Sequence, residues 1–247
     1  MSQEKKQITL LSFFRFRKDE KIWGMRQMRD TQLGLNQTPG LVFHKMLGTG
    51  GGGGYGIMPD FGTYALLTVW EKEDLAKQFE SASKTMQQFR KHAFEVYSLF
   101  LQPIQSRGYW SKKQPFTPAS PDPENNLIVV LTRATLKMRY YFPFWKRVSK
   151  VSQSHQQHQG LIFTKGLGER PWIMQVTFSV WQSIDQMEAF AHNRNGKHFE
   201  AIKTTREKKG FKEELYSRFQ PIFSTGTWHG KDPVGHALAQ INKNSET

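Results

Sequence analysis

Eight histidines, thirty-five basic side chains and no cysteine bound the chemistry open to this chain of 247 residues. Without a thiol it can build no disulfide, Fe–S cluster, Cys-type zinc site or Cys nucleophile, and no thiolate can ligate a haem. Any metal must rest on His, Met, Tyr or carboxylates. His155 and His158 form an HxxH pair in SQSHQQHQG, but their Gln and Ser neighbours make this a solvated helix end before a metal site. His229 and His236 fall in a polar C-terminal tail, and His44 alternates along a strand with Val42 and Met46, free to face either side. His198 differs. In GKHFEAIKTTREKKG it follows Gly196 and begins a helical stretch whose Ala201, Ile202 and Thr205 share its face. Such an imidazole is ordinarily a hydrogen-bonded core residue; as a ligand it would need an acceptor for its second ring nitrogen.

Other motifs carry less. Gly48 to Gly53 fits GxGxxG, yet no Gly-Lys-Ser/Thr follows and no helix opens there, so the run reads as a mobile lid or surface loop and not as a dinucleotide cradle. No Ser-His-Asp order and no HExxH is present. Aromatics interleaved with Lys and Arg raise nucleic-acid binding, but the RNP block that an RRM needs is missing.

The elements that must position these residues come in two sets, because three blocks recur in order. GLVFHKMLG (Gly40–Gly48) and GLIFTKGLG (Gly160–Gly168) agree at six of nine positions, as do QPIQSRGYW (Gln102–Trp110) and QPIFSTGTW (Gln220–Trp228). Between them, LLTVWEKEDLAKQF (Leu66–Phe79) and TFSVWQSIDQMEAF (Thr177–Phe190) share Val, Trp, Asp and Phe. The first half is longer by nine residues at its glycine run, and the second by seven around His192 to His198. Function often sits where a repeated scaffold stops being symmetrical.

Each half reads as β-α-β-β-α-β. The first has strands at Ile8–Phe16, Leu41–Leu47, Thr63–Trp70 and Leu101–Ser106, with helical stretches at Ile22–Leu35 and Asp74–Leu99. The second has strands at Leu127–Arg133, Leu161–Lys165, Ile173–Trp181 and Phe219–Thr225, with helices at Pro143–Gln156 and, interrupted, Ser183–Lys209; Ser183 suits an N-cap. Ser111–Asn126, with four prolines, is the linker. The expected fold is α+β: tandem ferredoxin-like units at 7–110 and 127–230, then a tail at 231–247, closing into a pseudo-dimeric α/β barrel. The cavity between the two sheets is the expected ligand site.

A formal net charge of +14 favours anionic partners, whether nucleic acid, an acidic membrane face or an acidic electron-transfer protein, or serves solubility alone. No apolar run approaches the roughly 18–20 residues that cross a bilayer, and the polar N-terminus has no signal-peptide core, so the cytoplasm is the expected compartment.

Three segments, LGTGGGGGYGIMPDFGTYALLTVW (Leu47–Trp70), LTRATLKMRYYFPFWKRV (Leu131–Val148) and EELYSRF (Glu213–Phe219), resemble the spheroidene monooxygenase family, and the likeness runs from about Thr9 to Gly230. The resemblance implies a dimeric α/β-barrel fold and a haem b enzyme that inserts oxygen from O2 into a carotenoid, with electrons from a donor such as ferredoxin. A lipophilic polyene lives in membrane, which adds peripheral contact with anionic lipid on the inner membrane face. Nucleic acid is then no partner. The resemblance also calls for a His on the iron: His198 is the candidate, with His192 as the alternative. Arg133, ending an apolar strand, either clamps a haem propionate or polarises bound oxygen, or packs its stem and sends its head to water. Tyr141, Phe142, Phe144 and Trp145 form core or line a flat ligand. Arg139 and Lys146 are less distinctive. Another haem reaction on the same fold, a dehydration or haem degradation, and a non-catalytic basic binding module are the competing readings.

Overall fold

In the computed structural model the residues described are 6–51, 58–140, 158–170, 173–192 and 204–244. His155, Lys146, the aromatic group at 141–145, the expected helix Pro143–Gln156 and His198 lie outside them, as do Gly52 and Gly53 of the glycine run.

Runs of β-branched and aromatic residues become strands as expected. The first half holds β1 (Ile8–Arg15), β2 (Leu41–Gly50), β3 (Pro59–Trp70) and β4 (Glu95–Gly108), with α1 (Lys21–Gly34), α2 (Glu73–Ala82) and α3 (Lys84–His92) between them. The second holds β5 (Ile128–Leu136), β6 (Leu161–Arg170), β7 (Met174–Trp181) and β8 (Phe211–Gly226), with α4 (Ile184–His192); α5 (Gly235–Asn244) follows. Ser183 caps α4, its hydroxyl accepting from the Gln186 amide at 3.3 Å.

All eight strands pair antiparallel and close in the order β1-β3-β2-β6-β7-β5-β8-β4. The stretch Asp74–Leu99, expected to be helical throughout, breaks after His92. From Glu95 it is strand, because β1 and β8 offer hydrogen-bonding edges on both sides and tertiary pairing outweighs local propensity.

The expected cavity inside the barrel is corrected by the packing. Alternate residues of every strand point inward and fill it: Leu11, Phe13, Leu67, Leu99, Val129, Phe178 and Phe219 are wholly buried in one continuous core. Phe13 contacts Phe163, Phe178 and Trp228 at ring-centroid distances of 5.4, 5.7 and 5.7 Å. The tail is no appendage either. Val234 and Leu238 join that core, as does Phe116 of the proline-rich linker, whose ring meets Phe219 at 4.9 Å.

Two long strands hand the chain to these closures through matching turns. Gly108 (φ +99°) and Gly226 (φ +76°) sit where a side chain would press to 2.2 Å from the Glu214 carbonyl and 2.1 Å from the Val96 carbonyl. Trp110 and Trp228 follow, each bridging to a Lys three residues on. The turns are capped crosswise. Glu213 on β8 accepts from the amides of Ser111 and Lys112 at 3.0 and 2.7 Å, and Glu95 on β4 accepts from the Gly230 amide and the Thr227 hydroxyl at 2.7 and 3.1 Å.

Burial alone would push the Glu95 carboxyl up. The Gly230 amide, Arg15, the His229 amide and Thr227 outweigh it and hold the group at about 2. A carboxyl depressed in the folded state contributes stability above its unfolded pKa of about 4.3, lost as pH falls toward 2. Denaturant titrations between pH 5 and pH 2 should show wild type losing about 2 kcal/mol more than Glu95→Gln over that range. Equal slopes would show that the carboxylate contributes nothing through its charge.

Candidate functional site

The two halves of the barrel wall pair on the same grid. In the first, the outward-facing residues read in sheet order β2-β3-β1-β4 are His44, Thr68, Leu10 and Phe100 in one row, Met46, Leu66, Ser12 and Ser98 in the next, and Gly48, Tyr64, Phe14 and Val96 in a third. In the second, β6-β7-β5-β8 gives Thr164, Ser179, Val130 and Arg218, then Gly166, Thr177, Thr132 and Tyr216, then Gly168, Gln175, Ala134 and Glu214. Position by position, Met46 meets Gly166, Leu66 meets Thr177, Phe14 meets Ala134 and Phe100 meets Arg218.

The chemistry of the two outer faces therefore diverges. In the first half Leu10, Phe14, Met46, Leu66 and Phe100 are all at most 3% exposed, sealed with Phe79, Met86 and Phe89 of α2 and α3. In the second, the buried outer cluster among the described residues comprises Ile128, Val130, Trp181 and Met187, with Phe190 and Tyr216 at its edge. Thr132, Ala134, Gln175 and Thr177, in mid-sheet, stay half-buried. Small residues in the centre of a sheet face leave a floor on which a flat ligand can lie. Trp181 and Phe190, rings 5.1 Å apart, wall one end.

Arg218 supplies charge on this face. Its Nε donates to the Tyr216 hydroxyl at 2.6 Å and a terminal nitrogen reaches Glu188 at 3.1 Å. Burial lowers its pKa, but Tyr216 and Glu188 outweigh that and raise it. The guanidinium is thus a fixed, half-buried cation suited to an anionic ligand edge. Sequence reasoning missed it, although the recurring blocks held the signal: two residues before Gln102 stands Phe100, and two before Gln220 stands Arg218.

Arg133 goes elsewhere. It shares the inward parity of Val129 and Leu131, and its side chain is 1% exposed. Its head lies 5.9 Å from the Trp110 ring, ion-paired with Glu213 and, at 3.3 Å, with Glu169. Glu169 also accepts from Trp110 Nε1 at 2.7 Å and binds Lys45 at 2.9 Å. Arg133, expected as a propionate clamp, thus lies on the inward side of the sheet with two carboxylates and an indole as its neighbours.

The histidines sort similarly. His44 faces outward and its Nε2 lies 3.0 Å from the Gln32 carbonyl, a structural bond. His158 is half-buried, its ring 4.6 Å from that of Phe190. His192 ends α4, and its side chain, like all of His198, lies outside the described residues. Among the described residues no three His, Asp or Glu side chains gather to hold a metal ion.

No family model matches the chain. Spheroidene monooxygenase of Cereibacter sphaeroides is 41% identical over 233 residues, covering 94% of this chain and 72% of the relative. The chain belongs to the spheroidene monooxygenase family. The Rhodobacter capsulatus family member is 37% identical over 237 residues, covering 94% of this chain and 98% of its own. Among solved structures, an aldoxime dehydratase superposes with a TM-score of 0.57 at 12% identity, over 89% of this chain and 83% of that one. At that identity the likeness places this spheroidene monooxygenase family member in a fold and goes no further.

Proposed function

We propose that the protein is a monooxygenase that inserts one atom of O2 into a carotenoid or similar lipophilic polyene, using a haem seated on the outer face of β5–β8. The observation that carries this is the 41% identity to a spheroidene monooxygenase across nearly the whole chain.

The residues present fit a haem. Ala134, Gly166 and Thr177 are small where the matched positions of the first half hold Phe14, Met46 and Leu66. Arg218 is the cation for a propionate edge, and Trp181, Met187 and Phe190 supply apolar cover that limits water. His198 is the proposed iron ligand, with His192 second, since both stand in or beside the segment that lengthens this half. Bound haem supplies O2 activation. The protein's own residues position the polyene and keep bulk water from the reacting carbon. Insertion consumes one O2, two electrons and two protons per hydroxylated carbon and releases one water, so an external donor such as a ferredoxin completes the cycle.

The scaffold supporting this site is read as two ferredoxin-like copies, residues 7–110 and 127–230, facing each other across the closed barrel. Support comes from the strand orders β4-β1-β3-β2 and β8-β5-β7-β6, the shared pairing grid and the matched glycine and Trp turns.

The test is reconstitution with haem b, then turnover of a carotenoid with a reductant under labelled O2. The expected result is a Soret band and product carrying one labelled oxygen atom per insertion. A Soret band without oxygenated product removes the monooxygenase reading; no band at all removes the haem.

A further inference from the structure

The corner where β5 ends and β8 begins is strongly basic. Its two parts are tied together: the Lys137 amide donates to the Gly210 carbonyl at 2.9 Å, and the Tyr140 hydroxyl donates to the Lys208 carbonyl at 2.8 Å. These bonds bring Arg139, Lys208, Lys209 and Lys212, all exposed, to one surface beside Lys137. Its acids are Glu207 and Glu214, the latter paired with Arg206 at 2.7 Å. Met138, 82% exposed, stands among these cations. The corresponding corner of the first half, where β1 runs into α1, sets Asp19 and Glu20 among Arg17, Lys18 and Lys21, and Glu20 pairs with His92 at 2.8 Å.

From this corner we infer that the protein docks on anionic bilayers, with Met138 inserted at the headgroup level and Arg139, Lys208 and Lys212 around it on lipid phosphates. Charge complementarity selects the partner: an apolar tip within a cationic ring matches an anionic lipid interface, which offers hydrocarbon beneath negative charge. An acidic protein would pair the cations but leave the thioether without an apolar partner. Placement adds to this. Lys137 directly follows Leu136, three residues from Ala134 on the outer face of β5, so docking here sets that face at the bilayer that dissolves a polyene. This last step rests on the proposed function; the docking itself does not.

The test is cosedimentation of the full chain with phosphatidylcholine vesicles containing roughly a third phosphatidylglycerol, against phosphatidylcholine alone. Each cation at such a surface contributes about fivefold in partitioning, so reversing three, in Arg139→Glu/Lys208→Glu/Lys212→Glu, should weaken binding by at least a hundredfold. Met138→Ser should weaken it about tenfold without changing its salt dependence. Equal binding to neutral and anionic vesicles, or a triple variant that binds like wild type, overturns the proposal. So does loss of binding to an acidic ferredoxin in the triple variant with vesicle binding unchanged. Turnover separates this from the enzymatic reading: the triple variant should oxidise polyene in detergent micelles like wild type and polyene in anionic vesicles at least tenfold more slowly. If no form turns over, the enzymatic reading fails and the sedimentation result still decides the docking.

Discussion

Ala134→Phe should abolish haem uptake and lower turnover at least a hundredfold, with the fold intact. The substitution places on the outer face of β5 the side chain found at the matched position of the first half, where Phe14 is fully buried and stacks on Phe89 at 4.0 Å. Ala134 points away from the barrel core, so a phenyl ring there does not displace Leu131 or Phe178. Stability should therefore shift by less than about 1 kcal/mol, in contrast to the 1–3 kcal/mol typical when a packed interior is overfilled. The ring would occupy the space assigned to the flat ligand. Haem titration by absorbance and a denaturant midpoint on the same sample decide the matter. If the variant takes up haem and turns over like its parent, the outer face of β5–β8 is not the site.

His198→Ala should eliminate the Soret band of the reconstituted protein, or displace it to that of weakly held haem, with turnover falling by more than a hundredfold. An imidazole of His198 on the iron would hold the haem in place and tune its electronics. His158→Ala is the control. That ring is packed against Phe190, so its loss costs some contact area but no ligand. Added imidazole should restore the band in His198→Ala if the deleted group was the ligand, because a free imidazole can occupy the space left. A normal spectrum in His198→Ala with a lost one in His192→Ala would move the assignment to the end of α4.

The two variants probe separate features. Ala134→Phe tests the space, which arises from residues that are merely small. His198→Ala tests the bond, which one residue supplies. Arg218 adds a third feature, a cation held by Tyr216 and Glu188, and stands on the same face as the floor.

Sequence alone determined much of the frame. The recurring blocks at Gly40 and Gly160, and at Gln102 and Gln220, mark strands that the fold pairs on one grid, because apolar and β-branched runs have few other ways to bury themselves. The serine cap at Ser183 was legible for the same local reason. What sequence could not say is which side of each strand lies inside. Phe13 and Phe14 are adjacent, equally apolar and both fully buried, one within the barrel and the other under the helices. Periodicity is silent when both faces are greasy. Only closure of the eight strands settled it. That closure filled the expected cavity with Phe13, Phe163 and Phe178, turned Arg133 inward to two carboxylates and put Arg218 on the outer face. A one-residue change in parity sends a side chain to the opposite surface, and the parity of a strand is set by its neighbours in space.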